Sequence, residues 1–295
     1  MKFVAYTRNG TPGVGELDAA AGTVAPFDLT AEQSASGVLA LMNGLPARTG
    51  ETVQLSQVSL RAPVPRPRRN LFCVGKNYFD HAHEFERSGF DASSAGAIPE
   101  APIVFSKVPE CVIAAGEPIL LDSRVSAALD YEAELAVIVG KGGRGISRER
   151  AMDHVWGYTI VNDVTARDLQ RTHRQWLIGK SQDSYCPMGP VAVTEDEIDL
   201  GSTPVRCWVN GELRQDATTD LLIFDVPTLI ETLSRGITLQ PGDVIATGTP
   251  AGVGIGFDPP RYLRAGDSVR IEIGGIGVLE NPVVDHAERE EGVVA

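Results

Sequence analysis

Residues 130–139 read DYEAELAVIV, a run with the composition of a β-strand that lies against a hydrophobic core. Its second half, LAVIV, is apolar on both faces, which is typical of a strand buried inside a sheet. Its first half sets Asp130, Glu132 and Glu134 at every second position. In a strand these side chains point to one face, about 6.6–7 Å apart per pair, where like charges repel one another. Three acids beside a core therefore require either a solvated strand end or a bound cation.

Composition and charge limit the classes of function. The chain has 295 residues, of which 43% are hydrophobic and 22% are charged, as in an ordinary soluble globular protein. Its net charge of −13 argues against nucleic acid as a partner, because phosphate binding requires a basic surface. The four cysteines, Cys73, Cys111, Cys186 and Cys207, share no short spacing, which predicts reduced thiols in a cytoplasmic protein. The first residues lack the apolar stretch of a signal peptide, and no apolar run approaches about 20 residues, so we expect no membrane association.

Prolines mark a boundary in the first quarter of the chain. Pro63, Pro65 and Pro67 alternate in the segment APVPRPRRN, which predicts extended backbone. We therefore expect a small β-rich N-terminal domain in residues 1–68 and a larger domain in residues 69–295. In the first domain the turn signals predict a hairpin in residues 2–18 and a second short strand pair in residues 19–29. A short helix is predicted in residues 30–45, with Thr30 as its cap.

Short strands also dominate the rest of the chain. Helical patterns are confined to residues 76–87, 165–177 and 226–236, and Asn210-Gly211 predicts a tight hairpin turn. Many short strands with few helices indicate a β-rich α+β fold, curved into a barrel-like or roll-like shape.

A fourth acid strengthens the cation hypothesis. The strand VWGYTIVND, residues 155–163, ends in Asp163 where a helical pattern begins. Two buried-type strands that both end in carboxylates predict an oxygen-only site for Mg²⁺ or Mn²⁺. The alternatives are a solvated strand end for the first three acids and a helix-capping role for Asp163.

The segment NYFDHAHEFER supplies a candidate general base. If it is helical, His81 and Glu84 stand three residues apart on one face and can form a hydrogen bond. A carboxylate partner fixes the imidazole tautomer and raises its basicity. The alternatives are an exposed polar helix with incidental histidines and, less favoured, a His-x-x-Glu metal site.

Two further stretches offer candidate substrate contacts. Lys180, in a Gly-Lys-Ser stretch without the phosphate-loop frame, could neutralise a substrate carboxylate or lie at the surface. The glycine-rich stretch GTPAGVGIG, residues 248–256, has no following helix, which argues against a dinucleotide site. It could instead bring its backbone close to a ligand, with the hydroxyl group of Thr247 or Thr249 available, or form a plain turn.

Together these stretches resemble the fumarylacetoacetate hydrolase family. The matching segments are FCVGKNYFDHAHE, PIVFSK, LDYEAELAVIVGK, GYTIVNDVTARDLQ, GKSQDSYCPMGP and ITLQPGDVIATGTPAGVG, and they occur in the family's order over roughly residues 70–282. The branch resembled is that of bacterial acylpyruvate hydrolases and 2-hydroxyhepta-2,4-diene-1,7-dioate isomerases. The resemblance implies a mixed β-sandwich roll, a homodimer and one Mg²⁺ or Mn²⁺ per active site.

The resemblance also implies roles for individual residues. Glu132, Glu134 and Asp163 match the metal carboxylates, while Asp130 stays outside that group. The other matched positions are the dyad His81 and Glu84 on a lid, the active-site Lys180, and the substrate-binding residues Gln170, Thr249 and Lys76. Many relatives carry arginine or an apolar residue at the position of Lys76.

These roles predict a metal-dependent hydrolase that cleaves the C–C bond of acylpyruvate-type 2,4-diketo acids, such as fumarylpyruvate or acetylpyruvate, to pyruvate and an organic acid. The metal would chelate the 1-carboxylate and 2-oxo oxygens of the keto acid. His81 would activate water, and Lys180 and Gln170 would offset the charge that develops on oxygen. The alternative is a decarboxylase or isomerase of oxaloacetate or hydroxy-dienedioate type keto acids with the same metal-enolate chemistry. A ligand-binding protein without catalysis is a third class.

Overall fold

A computed structural model describes residues 1–87, 89 and 98–287. Within them the strands are β1 Lys2–Arg8, β2 Thr11–Asp18, β3 Thr23–Pro26, β4 Val53–Gln54, β5 Ser59–Arg61, β6 Leu71–Gly75, β7 Ile103–Lys107, β8 Val112–Ile113, β9 Ile119–Leu121, β10 Leu129–Asp130, β11 Ala133–Val139, β12 Val155–Asn162, β13 Thr165–Ala166, β14 Cys186–Thr194, β15 Pro204–Val209, β16 Glu212–Thr218, β17 Val244–Ala246, β18 Ser268–Ile273 and β19 Gly277–Asp285. The helices are α1 Ala31–Ala35, α2 Phe79–Arg87, α3 Arg167–His173, α4 Leu177–Lys180 and α5 Val226–Ser234. Short 3-10 helices lie at Gly37–Leu41, Leu55–Gln57, Pro109–Cys111, Arg148–His154, Glu195–Glu197, Thr219–Leu221 and Gly254–Gly256.

Strand β11 lies in the middle of the large sheet, which runs in the order β4-β3-β2-β1-β14-β12-β11-β17-β6-β7. All seven of its residues are buried. Leu135 and Val137 belong to the core on one side of the sheet, and Ala136 and Ile138 to the core on the other side. The run LAVIV is thus apolar on both faces because both faces are covered.

A second sheet, in the order β16-β15-β18-β19-β9, covers one side of the large sheet. Its inward residues, such as Val205, Ile271 and Leu279, share a core cluster with Leu135 and Val137. The large sheet is mixed: β17 and β6 run parallel, whereas β11 and β12 run antiparallel. The prediction of a β-rich fold with mixed, sandwiched sheets is confirmed, and within the described residues the sheet edges do not close into a barrel.

The N-terminal segment joins the same large sheet. Strand β1 pairs antiparallel with β14, with Phe3 opposite Ala192. The predicted hairpin is formed by β1 and β2, and the predicted helix begins after Thr30, whose hydroxyl group accepts a hydrogen bond from the backbone of Gln33. The domain boundary near residue 68 and the homodimer stay predictions.

Three local predictions are wrong. Residues 19–29 hold one strand, β3, rather than a pair, because the carboxylate of Asp18 accepts the backbone N–H groups of Ala20 and Ala21 and closes a turn. Residues 165–177 are not one helix, because α3 ends at His173 and its C-cap, Arg174, has a positive φ of 56°. The acids 130–134 do not share one strand, because β10 pairs with β13 and the chain resumes as a strand only at Ala133.

No helix in the described part of the chain is both long enough and apolar enough to cross a membrane.

Candidate functional site

One edge of the large sheet gathers the predicted site residues. Strands β12 and β17 both run antiparallel to β11, and β6 runs parallel to β17. The ends of β6, β12 and β17 therefore meet at the start of β11. The chain carries Glu134 at that start, Asp163 just after β12 and Thr249 after β17, so the sheet topology brings together residues that are far apart in sequence.

Glu132, Glu134 and Asp163 form a buried carboxylate cluster at this edge. Each offers one oxygen, and these oxygens all lie within 4.8 Å of one another. The solvated strand end and the capping role are both excluded, since the three side chains are buried and Ala166 occupies the N-cap of α3. Three converging carboxylates fit a hard divalent cation such as Mg²⁺ or Mn²⁺. The site can therefore hold a divalent metal.

The three carboxylates are not electrostatically equivalent. Burial opposes ionisation of Glu132, but the charges of Lys180 and Arg167 outweigh it and bring its pKa down to about 2. For Glu134, burial together with the charges of Asp163 and Glu132 raises the pKa well above its ordinary value. The surroundings thus favour the ionised form of Glu132 and the protonated form of Glu134, and a bound cation would favour ionisation of both.

Two lysines hold the cluster in place. Lys180 donates to Glu132 Oε2 at 2.7 Å and to Asp163 Oδ2 at 2.8 Å, so it is not a surface lysine. Lys107 donates to Asp163 Oδ1 at 2.7 Å and also to the backbone oxygen of Lys180. Burial alone would lower the pKa of Lys107, but Asp163 raises it above the ordinary value. Sequence reasoning gave Lys107 no role, although it ends the matched segment PIVFSK.

Arg167 is a second residue without a predicted role. It is buried and donates from Nε to Asp130 Oδ2 at 2.8 Å, and its Nη1 lies 2.7 Å from Glu132 Oε1. Asp130 also accepts the backbone N–H groups of Gly254 and Ile255. Asp130 therefore stays outside the carboxylate cluster, as expected, and is linked to Glu132 through Arg167.

The predicted dyad is formed on helix α2. His81 Nδ1 lies 3.0 Å from Glu84 Oε2, and both side chains are buried, so the exposed polar helix is excluded. His83 on the same helix is exposed. Because Nδ1 is engaged by Glu84, Nε2 is the ring nitrogen available to a ligand in the pocket that His81 lines.

The glycine-rich loop supports carboxylates of the protein. Gly252 donates its N–H to Glu84 Oε1 at 2.9 Å. A Cβ atom at Gly256 would lie 1.9 Å from the same oxygen, so only glycine leaves room for Glu84. The loop thus supports the dyad, and the expected approach of its backbone to a ligand stays a prediction.

The remaining predicted residues surround the cluster. Gln170, Thr249 and Lys76 are buried and line the same pocket as His81 and Glu132. Gln170 accepts from Arg167 Nη1 at 3.1 Å, and Thr249 accepts from Gln215 at 2.7 Å. The Thr247 hydroxyl group donates to the backbone of Leu135, so Thr249 is the threonine that faces the site.

Comparisons with known proteins agree with this geometry. The family model "Fumarylacetoacetate (FAA) hydrolase C-terminal" matches residues 70–284. Oxaloacetate tautomerase YisK of Bacillus subtilis is 53% identical over 230 residues, which cover 78% of this chain and 74% of that protein. A fumarylacetoacetate hydrolase from psychrophilic Exiguobacterium antarcticum superimposes with a TM-score of 0.80 at 41% identity, over 97% of this chain and 100% of that one. A 2-hydroxyhepta-2,4-diene-1,7-dioate isomerase from Mycobacterium marinum gives 0.78 at 34% identity, over 97% and 99%.

The chain belongs to the fumarylacetoacetate hydrolase family, a family of enzymes. Among the activities considered from the sequence, these relatives favour the decarboxylase or isomerase alternative over the acylpyruvate hydrolase.

Proposed function

We propose that this protein is a metal-dependent oxaloacetate tautomerase, which interconverts the keto and enol forms of a small 2-oxo dicarboxylate. The 53% identity to the Bacillus tautomerase supports this reaction. The site supports it as well, because a tautomerase needs one group that removes and returns a proton, together with cations that stabilise an enolate. Hydrolysis would require, in addition, a positioned water molecule.

The observation that carries the proposal is the side chain of Arg167. Within the described residues its Nη2 is buried and has no hydrogen-bond partner, although the residue lines the pocket. An unpaired donor on a buried cation is costly and is rare in folded proteins. A substrate carboxylate or enolate oxygen would satisfy it. Lys76 and Lys180 line the same pocket, so its positive charges suit a dianionic substrate.

His81 is the proton carrier in this reaction. Its Nε2 takes a proton from carbon 3 of the keto form, and the electron pair of that C–H bond becomes the C2–C3 double bond of the enolate. Return of the proton to the 2-oxo oxygen gives the enol, so the reaction is balanced without another reactant. Glu84 keeps Nδ1 engaged and favours the imidazolium that forms in between.

The cations of the site act on the oxygen where charge develops. A divalent metal held by Glu132, Glu134 and Asp163 would supply Lewis-acid stabilisation of that charge. Lys180 and Arg167 hold Glu132 ionised in the orientation in which it faces the other two carboxylates.

Hydrolysis of a 2,4-diketo acid is the second candidate. The specific observation in its favour is the buried His81–Glu84 pair beside a carboxylate cluster, which could also activate water. The 41% identical neighbour from Exiguobacterium is a hydrolase.

The experiment follows both reactions on purified protein with Mg²⁺, Mn²⁺ or a chelator. Enol loss from oxaloacetate is followed by ultraviolet absorbance, and release of CO₂ and pyruvate is measured from oxaloacetate, acetylpyruvate and fumarylpyruvate. Metal-dependent acceleration of enol loss without CO₂ supports the tautomerase. Pyruvate release from a diketo acid, with no effect on the enol, would transfer the assignment to the hydrolase.

A further inference from the structure

The pocket has an apolar side to which neither the sequence nor the proposed reaction gives a role. Beside the charged residues it is lined by Val74, Gly75, Phe85, Phe105 and Trp176. The indole of Trp176 is the centre of this group. Its ring lies 5.1 Å from that of Phe105 and 6.3 Å from that of Phe85, both edge-on, a favourable arrangement for aromatic pairs.

The backbone at Gly75 is the surface, or seat, on which the indole of Trp176 packs. A Cβ atom at this position would lie 2.5 and 2.9 Å from two ring carbons of Trp176. The ring therefore packs directly on the backbone at the end of β6. Since an indole has only two rotatable bonds and is held here on three sides, its position in the pocket is well defined.

The backbone of the 165–180 segment directs Trp176 to this seat. Helix α3 ends at His173, and Trp176 is the N-cap residue of α4. Helix α4 ends four residues later at Lys180, whose Nζ binds Glu132 and Asp163 and lies 4.9 Å from the ring centre of Phe105. One short helix thus connects the carboxylate cluster to the apolar wall.

The two sides of the pocket correspond to the two ends of a 2-oxo acid. Contacts lead from the carboxylate cluster through Lys180 and Phe105 to Trp176. A 2-oxo acid bound with its carboxylate and 2-oxo group at the cluster therefore extends its carbon-4 group along the aromatic side chains. Lys76 lies on that side, with Nζ 5.7 Å from the ring centre of Phe85, and it suits a second carboxylate. A larger group on carbon 4 would meet the indole.

We propose that Trp176 is the specificity-determining residue of this site: its indole limits the size of the group on carbon 4 and restricts the pocket to small dicarboxylates. This inference rests on the proposed function for the identity of the small substrate. The size limit itself is a property of the pocket and holds for any 2-oxo acid bound there.

The test compares wild type with Trp176→Phe and Trp176→Ala on a small and a bulky ligand. The kinetic readout is the ratio of kcat/KM for a 2,4-dioxo acid with a phenyl group on carbon 4 to kcat/KM for oxaloacetate. We expect the ratio to rise in the order Trp, Phe, Ala, by about tenfold or more for Ala, the scale of discrimination by shape in an apolar pocket. The second readout is calorimetric affinity of the Mn²⁺-loaded protein for the phenyl acid relative to oxalate, which should rise in the same order.

Trp208→Ala is the matched control, because Trp208 lies on β15 in the other sheet and packs on Arg270. Both ratios should stay at the wild-type value in this variant. Ratios that stay constant across the Trp176 series overturn the inference, since a purely structural role lowers both ligands together. If oxaloacetate is not turned over by wild type but the affinity ratio changes as expected, the proposed function fails while the role of Trp176 holds.

Discussion

Lys107 donates a hydrogen bond to Asp163 across 56 residues of sequence, with Nζ 2.7 Å from Oδ1 and both side chains fully buried. The same ammonium group donates to the backbone oxygens of Val164 and Lys180. It therefore fixes a cluster carboxylate and the end of helix α4 at once. Since Asp163 also binds Lys180 through its other oxygen, each oxygen of this carboxylate has its own cation.

Replacing Lys107 should destabilise the whole fold. Lys107→Met keeps the volume but leaves Asp163 Oδ1 and two backbone oxygens without their donor. Removal of one partner from a buried ion pair costs about 3–5 kcal/mol, measurable as the free energy of unfolding in urea. Lys141→Met changes an exposed lysine and should cost less than about 0.5 kcal/mol. Equal effects of the two variants would contradict a supporting role for Lys107.

Glu134 should make the metal-free protein less stable as pH rises. Its pKa in the folded state lies above the ordinary value of 4.5, so the unfolded chain releases this proton first. Stability is then lost as pH rises from about 4.5 through the folded-state pKa. In chelator, Glu134→Gln should be more stable than wild type at pH 8, and the gap should narrow at pH 5. We also expect Mn²⁺ to stabilise the wild type and to stabilise Glu134→Gln less.

Glu132→Gln is the matched control, for which we expect the opposite dependence of stability on pH. The folded-state pKa of Glu132 is about 2, below its ordinary value of 4.5. Its contribution to stability is therefore present above pH 4.5 and lost as pH falls towards 2. At neutral pH the substitution removes one of the two buried carboxylates that pair with Lys180 and one of the two that pair with Arg167, so we expect the free energy of unfolding to fall. If Glu132→Gln were more stable than wild type, Glu132 and Glu134 would not affect stability in opposite directions.

His81→Ala should abolish proton transfer and leave metal binding intact. His81 lines the pocket but is not part of the carboxylate cluster. Loss of a general base costs about 10²–10⁴-fold in rate, to be measured as kcat/KM for oxaloacetate, with Mn²⁺ affinity measured in parallel. His83→Ala, an exposed change on the same helix, should leave both quantities unchanged. A loss of Mn²⁺ affinity equal to the loss of rate would place His81 among the metal ligands instead.

Gly256→Ala should act on the reaction through Glu84. The added methyl group would lie 1.9 Å from Glu84 Oε1 and 2.2 Å from Cδ, so the carboxylate must leave its place beside His81. A misplacement of about 1 Å in such a partner costs roughly 10²-fold in rate, which we expect in kcat with little change in Mn²⁺ affinity. Gly236→Ala faces open space and should be neutral. Wild-type kcat in Gly256→Ala would show that Glu84 does not position His81.

The features that could be predicted from the sequence are those whose signals are local. The apolar run of β11 needs only its own residues to indicate a doubly covered strand, and the spacing of His81 and Glu84 fixes their contact once the segment is helical. Carboxylates at the ends of two buried-type strands predicted the carboxylate cluster, because few arrangements offset the free-energy cost of burying several like charges.

The cations that pair with the cluster and the aromatic residue that lines the pocket could be identified only from contacts in the folded structure. Lys107 and Arg167 resemble ordinary surface residues in the sequence, since their partners lie 56 and 37 positions away. The place of Trp176 depends on a helix break at Arg174 and on the absence of a side chain at Gly75. Such contacts form between strands that become neighbours through the sheet order, and periodicity within one strand or helix carries no information about them.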